Sequence, residues 1–328
     1  MVGYFILVHR YAKQFERLFK AIYDPKNVYL IHVDKRAGKS FKKEVTEFLS
    51  DYSNTHLLVS QSVVWGGYSM VRAELRGIKE LLQVNKDWDT YINLSGQDFP
   101  LKTQANIAEF ISKNVGKNFL LVSDQAKERK ITMNRIENYF VETESGFSGK
   151  PTKRAFMANV VPYIGGQWKI LTRSCCEFLD SSPKVAKFRK FYKNTLIPDE
   201  SFFQTVLMNT DFGEKIVNDD KRAIVWIPDF RTKLAKKISK KDTMALVASG
   251  KVKLRPKSFT ESDYKFLSTD KGLFARKFDE SVDTKIFDLL ELNLKDQRLA
   301  GANKIFVSRS VSKGVRAHDL TDLSVHIL

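Results

Sequence analysis

Cysteine is the scarcest residue in this chain: 328 residues hold only two, Cys175 and Cys176, side by side. Adjacent cysteines are poorly placed to bridge one another, and an extracellular scaffold would carry more, so the sequence predicts no disulfide framework and a reducing compartment. Histidine is sparse too, at five residues, and no His/Cys/Glu cluster shows zinc spacing. Long apolar runs are also missing. The longest, such as YFILV at 4–8, fall far short of the ~20 residues a membrane span needs, and no basic segment precedes the first strand. Neither signal peptide nor anchor is expected, which points to the cytoplasm.

Negative charge is the remaining deficit. Against 55 lysines and arginines stand 38 acidic residues, a formal charge of +17. A dense basic stretch from Arg231 to Lys257 includes Lys233, Lys236, Lys237, Lys240, Lys241, Lys251, Lys253, Arg255 and Lys257. Such a balance attracts polyanions without choosing among them. No aromatics interleave the run at single-strand spacing and no nucleic-acid motif occurs elsewhere, so nucleic acid is set aside as a partner. An anionic membrane surface, a nucleotide diphosphate and an acidic glycan remain. Most of these lysines read as a solvated helical face around AKKISKK.

What is present is an alternation of strand and helix. Tyr4 to Val8 is a compact apolar strand; Phe15, Leu18, Phe19 and Ile22 mark one face of a helix ended by Asp24-Pro25; Val28 to Val33 is the next strand. His56 to Ser60 supplies a third. Val71, Leu75, Ile78 and Leu82 recur at helical spacing behind Ser69 as N-cap, and Thr90 to Leu94 forms a fourth strand stopped by Ser95-Gly96-Gln97-Asp98. Strand, helix, strand in series implies a parallel sheet, whose ligands collect at the strands' carboxyl ends. Residues 125–152 read as a mobile substrate loop with some helix, Gln167 to Leu171 as a strand, and Ser201 to Met208 as a helix capped by Asp199. No repeat, low-complexity tract or interdomain linker is visible.

The block QSVVWGGYSMVRAELRGIKELL, then DWDTYINLSGQDFPLKT, resembles the signature of the core-2/I-branching N-acetylglucosaminyltransferases and peptide O-xylosyltransferases, together glycosyltransferase family 14. YFILVHR, NVYLIHVDKR, GGQWKILTR, IPDESFFQTVL and LFARKFD are similar to other family segments, in the same order. Animal members of the family are anchored and disulfide-bonded, so this chain is expected to be a bacterial-type member. The resemblance implies an α/β GT-A fold: a catalytic domain over 1–296, with a nucleotide-binding half at 1–113 and an acceptor and catalytic half at 114–296, and a C-terminal extension at 297–328. It implies an inverting transferase moving a sugar from a UDP-sugar to a glycan hydroxyl. UDP-N-acetylglucosamine is the first expectation for the donor, with UDP-xylose and UDP-glucose open. The acceptor is expected to be a glycan or lipid-linked glycan, and the basic surface to touch the inner face of the cytoplasmic membrane.

Residue by residue, the resemblance makes Glu200 the general base; by itself an acid in a first helical turn is commonplace. Lys277 matches the family's diphosphate lysine and Arg255 its arginine, a substitute for a metal; Lys253, Lys257 and Arg276 read as solvated neighbours. No metal or other cofactor is expected, because the end of the fourth strand carries only Asp98 where a metal-binding DXD would stand. Asp87-Trp88-Asp89 precedes that strand and reads as a turn. Val8, His9, Asp34 and Arg36 are expected at the nucleoside, although Asp34 equally suits a turn or cap and His9 the core or a loop. Tyr68, beside Gly66 and Gly67, together with Asp98, Gln167, Trp168 and Trp226, are candidates for donor or acceptor contacts. For either tryptophan a core position is as good a reading.

Overall fold

A computed structural model describes residues 1–229 and 253–312. The alternating first third builds β1 (Val2–Val8), α1 (Ala12–Ile22), β2 (Val28–Val33), α2 (Lys39–Leu49), β3 (Thr55–Leu58), α3 (Tyr68–Val84) and β4 (Thr90–Ser95). A tight turn leads to β5 (Asp98–Pro100), α4 (Gln104–Ser112), β6 (Asn118–Leu120), β7 (Ser123–Asp124) and α5 (Gln125–Glu128). Then come β8 (Asn138–Thr143), β9 (Gly146–Lys153), β10 (Tyr163–Ile164), β11 (Lys169–Thr172), α6 (Arg173–Ser181), α7 (Pro183–Tyr192) and α8 (Phe202–Met208). The last described elements are β12 (Ile216–Val217), β13 (Arg222–Ile224), β14 (Trp226–Pro228), β15 (Leu254–Pro256), α9 (Tyr264–Thr269), β16 (Phe274–Arg276) and α10 (Lys285–Ser312).

Seven strands form one sheet in the order β12-β6-β11-β4-β1-β2-β3. All neighbours run parallel except β11, which is antiparallel to both β4 and β6. The carboxyl ends of β1, β2, β4, β6 and β12 therefore share one edge with the start of β11. Alternation along β1 sends Tyr4, Ile6 and Val8 into one apolar cluster and Phe5 into the other, so both faces of the sheet are covered. A second sheet, β13-β16-β5, sets Arg276 opposite Asp98 just past the end of β4. The α/β fold with a mostly parallel central sheet is thus the one expected.

Four local expectations change. Ser69 is not the cap of α3: the N-cap is Gly67, and Ser69 lies buried in the first turn, its Oγ accepting from Val64 N at 2.8 Å. Residues 125–152 are a short helix, a turn and the β8–β9 hairpin. That ribbon pairs only with itself and is mostly exposed, so it lacks the core-facing alternation that reveals a strand. Asp199 does not cap α8; it sits inside a 3₁₀ turn, Pro198–Glu200, and Ser201 precedes the helix. Finally, α10 runs unbroken through position 297, its Phe287, Leu290 and Leu294 packed into the core. Asp87–Asp89 is the expected turn before β4, with Trp88 buried and its Nε1 donating to Leu81 O at 2.8 Å.

Candidate active site

The ends of β1 and β2 meet where Asp34 N donates to Val8 O at 2.8 Å. The buried Asp34 carboxylate accepts from Arg36 N at 2.8 Å and from the Arg36 guanidinium at 3.2 and 3.3 Å. Arg36 also donates to Val63 O. Asp34 thus caps the turn Lys35–Ala37, and its clamp with Arg36 ties that turn to the loop before α3. His9 is exposed at the rim, yet desolvation, then the charges of Arg10 and Arg276, lower its imidazole to about 4. Lys277 and Asp34 lie within electrostatic reach of it. His32, by contrast, is a core residue whose Nε2 accepts from Gln61 N at 3.1 Å.

At the end of β4 the Asp98 carboxylate is fully buried and spoken for. Oδ2 accepts from Ser95 N at 2.6 Å, and Oδ1 from Arg276 Nη1 at 3.1 Å. Arg276 also donates to Ser95 Oγ at 2.6 Å, and its guanidinium lies 4.5 Å from the centre of the Trp168 ring. Arg276 is therefore not a solvated surface cation, and Asp98 is its counter-ion. Trp168 is buried between Arg276 and Arg222, the latter 5.8 Å from its ring. Lys277, next in line and half-buried, accepts from Phe259 N at 2.9 Å through its carbonyl and donates to Lys257 O at 3.3 Å through its amide. That strap reaches the β14–β15 ribbon, where Arg255 Nε stands 3.8 Å from Asp229 Oδ1. Trp226 on the same ribbon is 51% exposed, so its ring is open to a ligand and not core.

Glu200 closes the 3₁₀ turn Pro198–Glu200. Its backbone carbonyl accepts from Gly165 N at 2.7 Å, and residues 165–168 then lead to Trp168 under Arg276. The Glu200 side chain is 27% exposed, and its Oε2 accepts from Arg135 Nη1 at 2.7 Å. A guanidinium, not a helix N-terminus, holds the anion. Ile197, which opens this turn, has φ 51°, a costly left-handed conformation for a β-branched residue. It is enforced by contacts on both sides: Ile197 N donates to Gly66 O at 2.7 Å and Leu196 N to Arg135 O at 3.2 Å.

Behind Glu200 the polar groups are buried. Burial and the neighbouring Glu200 charge push the Asp199 carboxyl up to about 7, and its Oδ1 has no hydrogen-bond partner. Lys169 and Glu74 form a fully buried ion pair at 2.9 Å, extended by Tyr91 Oη donating to Glu74 at 3.0 Å. Gln167 joins this group through its carbonyl, which accepts from Lys169 Nζ at 2.6 Å and from Asn93 Nδ2 at 3.0 Å. Tyr68 opens α3, half-buried, its phenol raised by burial. A Cβ on Gly67 would stand 2.4 Å from Glu142 Cδ; the small residue admits the hairpin's Glu142, which accepts from Ser69 N at 3.0 Å. Sequence reasoning missed Arg135, Arg276 and the Lys169–Glu74 pair. A lysine inside the apolar run QWKILT was the one available sign of a buried partner.

Among the described residues no group of three His, Cys, Asp or Glu side chains could hold a metal ion, and no helix is long and apolar enough to cross a membrane. Past the carboxyl ends of β1, β2 and β4, where a parallel α/β sheet collects its ligands, stand Asp34, Asp98, Arg276 and Lys277. The family model of the core-2/I-branching enzymes matches residues 2–250, and the chain belongs to that family. Xylosyltransferase 2 of Rattus norvegicus and of Homo sapiens are each 34% identical over 298 residues, 89% of this chain and 33% of theirs. A xylosyltransferase of Ciona intestinalis is 30% identical over 298 residues, 89% of this chain and 34% of its own. The chain spans about a third of the length of these curated relatives. Among solved structures, the apo form of mouse xyloside xylosyltransferase 1 aligns with a TM-score of 0.34 and 11% identity, over 74% of this chain and 92% of its own.

Proposed function

We propose that this chain is an inverting, metal-independent glycosyltransferase that moves a sugar from a UDP-sugar to the hydroxyl of a glycan or lipid-linked glycan. The observation that carries this reading is the segment 165–168, tied at one end through Gly165 N to the Glu200 carbonyl and covered at the other, at Trp168, by the guanidinium of Arg276, the neighbour of Lys277. Glu200 takes the proton of the acceptor hydroxyl; that oxygen forms the new bond to the anomeric carbon as the bond to the diphosphate breaks. UDP departs with the electron pair, and its growing charge is met by Lys277 and Arg255. A single displacement turns an α-linked donor into a β-glycoside. Metal independence is supported by Asp98, whose oxygens are already committed to Ser95 and Arg276. The nucleoside would lie along Val8, His9, Asp34 and Arg36, and Trp226, exposed, suits an acceptor sugar face.

For the donor, the name carried by the relatives supports UDP-xylose, whereas the family model supports UDP-N-acetylglucosamine, the first expectation from sequence. A thermal-shift screen of UDP, UDP-xylose, UDP-N-acetylglucosamine and UDP-glucose ranks them, since a ligand of the native state raises stability by RT ln(1 + [L]/Kd). Transfer with the best stabiliser, assayed in excess EDTA, should persist in the wild type. It should fall by roughly 10² to 10⁴ in Glu200→Gln while UDP still binds. Wild-type turnover by Glu200→Gln would remove the base, and activity abolished by EDTA and restored by Mn²⁺ would restore a metal.

A further inference from the structure

Only one cation in direct contact touches the Glu200 carboxylate among the described residues, and it comes from a segment more than sixty positions away. Arg135 ends the turn Lys130–Arg135, and its backbone is fastened twice: its carbonyl accepts from Leu196 N at 3.2 Å, and the next residue, Ile136, is fully buried. The side chain then reaches Glu200 Oε2 at 2.7 Å, with 22% of Arg135 and 27% of Glu200 exposed. The pair is only partly exposed, near enough to water for substrate to arrive and sheltered enough for its direction to be held.

The surrounding charges leave this task to Arg135. Asp199, next in sequence, makes no hydrogen bond to the Glu200 carboxylate among the described residues, and its Oδ1 has no partner. Lys169, within electrostatic reach of Asp199 from β11, is committed to Glu74 at 2.9 Å and to Gln167 O at 2.6 Å. Glu142, near Gly67, is another acid, occupied with Ser69 N. With Oε2 held by the guanidinium, no hydrogen bond between described residues involves Oε1, the oxygen left to accept a proton. Contact to a guanidinium whose backbone is tied to Leu196 restricts where that second oxygen points, and alignment of a base with the proton it removes is worth a large part of its rate.

We propose that Arg135 is a positioning residue for the transfer: it holds Oε2 of Glu200 so that Oε1 is directed at the acceptor hydroxyl. The proposal rests on the reading of Glu200 as the base. It assigns to the 130–135 turn, and through it to the adjoining hairpin, the task of setting the catalytic carboxylate.

The test is a double-mutant cycle on the full chain with Arg135→Ala, Glu200→Gln and both together. Transfer from the best UDP-sugar of the thermal-shift screen and UDP binding are both measured. Arg135→Ala should lower kcat by roughly 10-fold or more with UDP affinity within about twofold, and added guanidinium ion or Arg135→Lys should recover part of the loss. In the Glu200→Gln background the same change should cost nothing further, because Arg135 acts only through that carboxylate. Additive losses, a loss shared by UDP binding, or undiminished kcat in Arg135→Ala would each overturn the proposal; the last, with Glu200→Gln inactive, would leave the base in place. Should Arg135→Ala fail to fold, Arg135→Gln and Arg135→Lys complete the same cycle. Full turnover by Glu200→Gln would instead remove the base and the positioning role together.

Discussion

At the scale of single residues, the chemistry of this chain depends on which carboxyl is buried and which is paired. Asp199 and Glu200 are neighbours, yet one is buried with an unpartnered oxygen and the other meets both solvent and a guanidinium. Raised to about 7, Asp199 keeps in the folded state a proton that the unfolded chain has already lost, from about its ordinary 3.8 upward. The folded state then binds more protons than the unfolded one, so this group makes stability fall as pH rises through that window. Asp199→Asn has no such group. Its melting temperature relative to wild type should climb between pH 5 and pH 8; a difference that stays constant across that range would show that Asp199 is not held protonated. The two acids look alike in the sequence IPDES, and only their surroundings separate them.

Among the elements, α3 and β11 are joined through the sheet interior by Lys169 and Glu74. Two charges at 0% and 1% exposure cost much to desolvate and recover it from one another, from Tyr91, from the Gln167 carbonyl and from the Phe203 ring, whose centre is 4.0 Å from Lys169 Nζ. Lys169→Met should therefore destabilise by about 3–5 kcal/mol, since it strands a buried Glu74, whereas Lys169→Met with Glu74→Met should lose considerably less. Urea denaturation of the two variants decides this, and equal losses would mean the pair contributes no compensation. The expected strands β1, β2 and β4 and helices α1 and α8 stand within a few residues of where periodicity puts them, because each carries its own apolar face. The β8–β9 hairpin has no such face and escaped notice; its position is settled by Glu142 at the start of α3 and by Phe140, whose amide donates to Asn194 O at 3.0 Å.

For the whole molecule, the dominant quantity is the charge of +17. Lys233 to Lys241, the part of the basic stretch expected from sequence to touch an anionic membrane, lies outside the described residues, as does 313–328. Its attraction would be electrostatic: each lysine near an anionic surface contributes about 1 kcal/mol, within a Debye length of about 8 Å at physiological salt. Co-sedimentation with phosphatidylserine-containing vesicles should be strong at low salt and lost at about 0.5 M NaCl, with no binding to neutral vesicles. Binding that survives high salt, or equal binding to neutral vesicles, would point to apolar insertion instead.

What the sequence alone determined was everything encoded at short range: alternating strands and helices, the parallel sheet they imply, and the motifs around Asp34, Glu200 and Lys277. These depend on residues within one turn or one strand of each other, whose spacing survives in a linear reading. Tertiary structure decided the partners. That Arg276 answers Asp98 across 178 positions, Arg135 answers Glu200 across 65, and Lys169 answers Glu74 across 95 depends on β16 pairing with β5, on the 130–135 turn meeting the chain at Leu196, and on the sheet face over which α3 packs. A charge's role is set by the dielectric and the counter-charge around it, and both are properties of the folded interior.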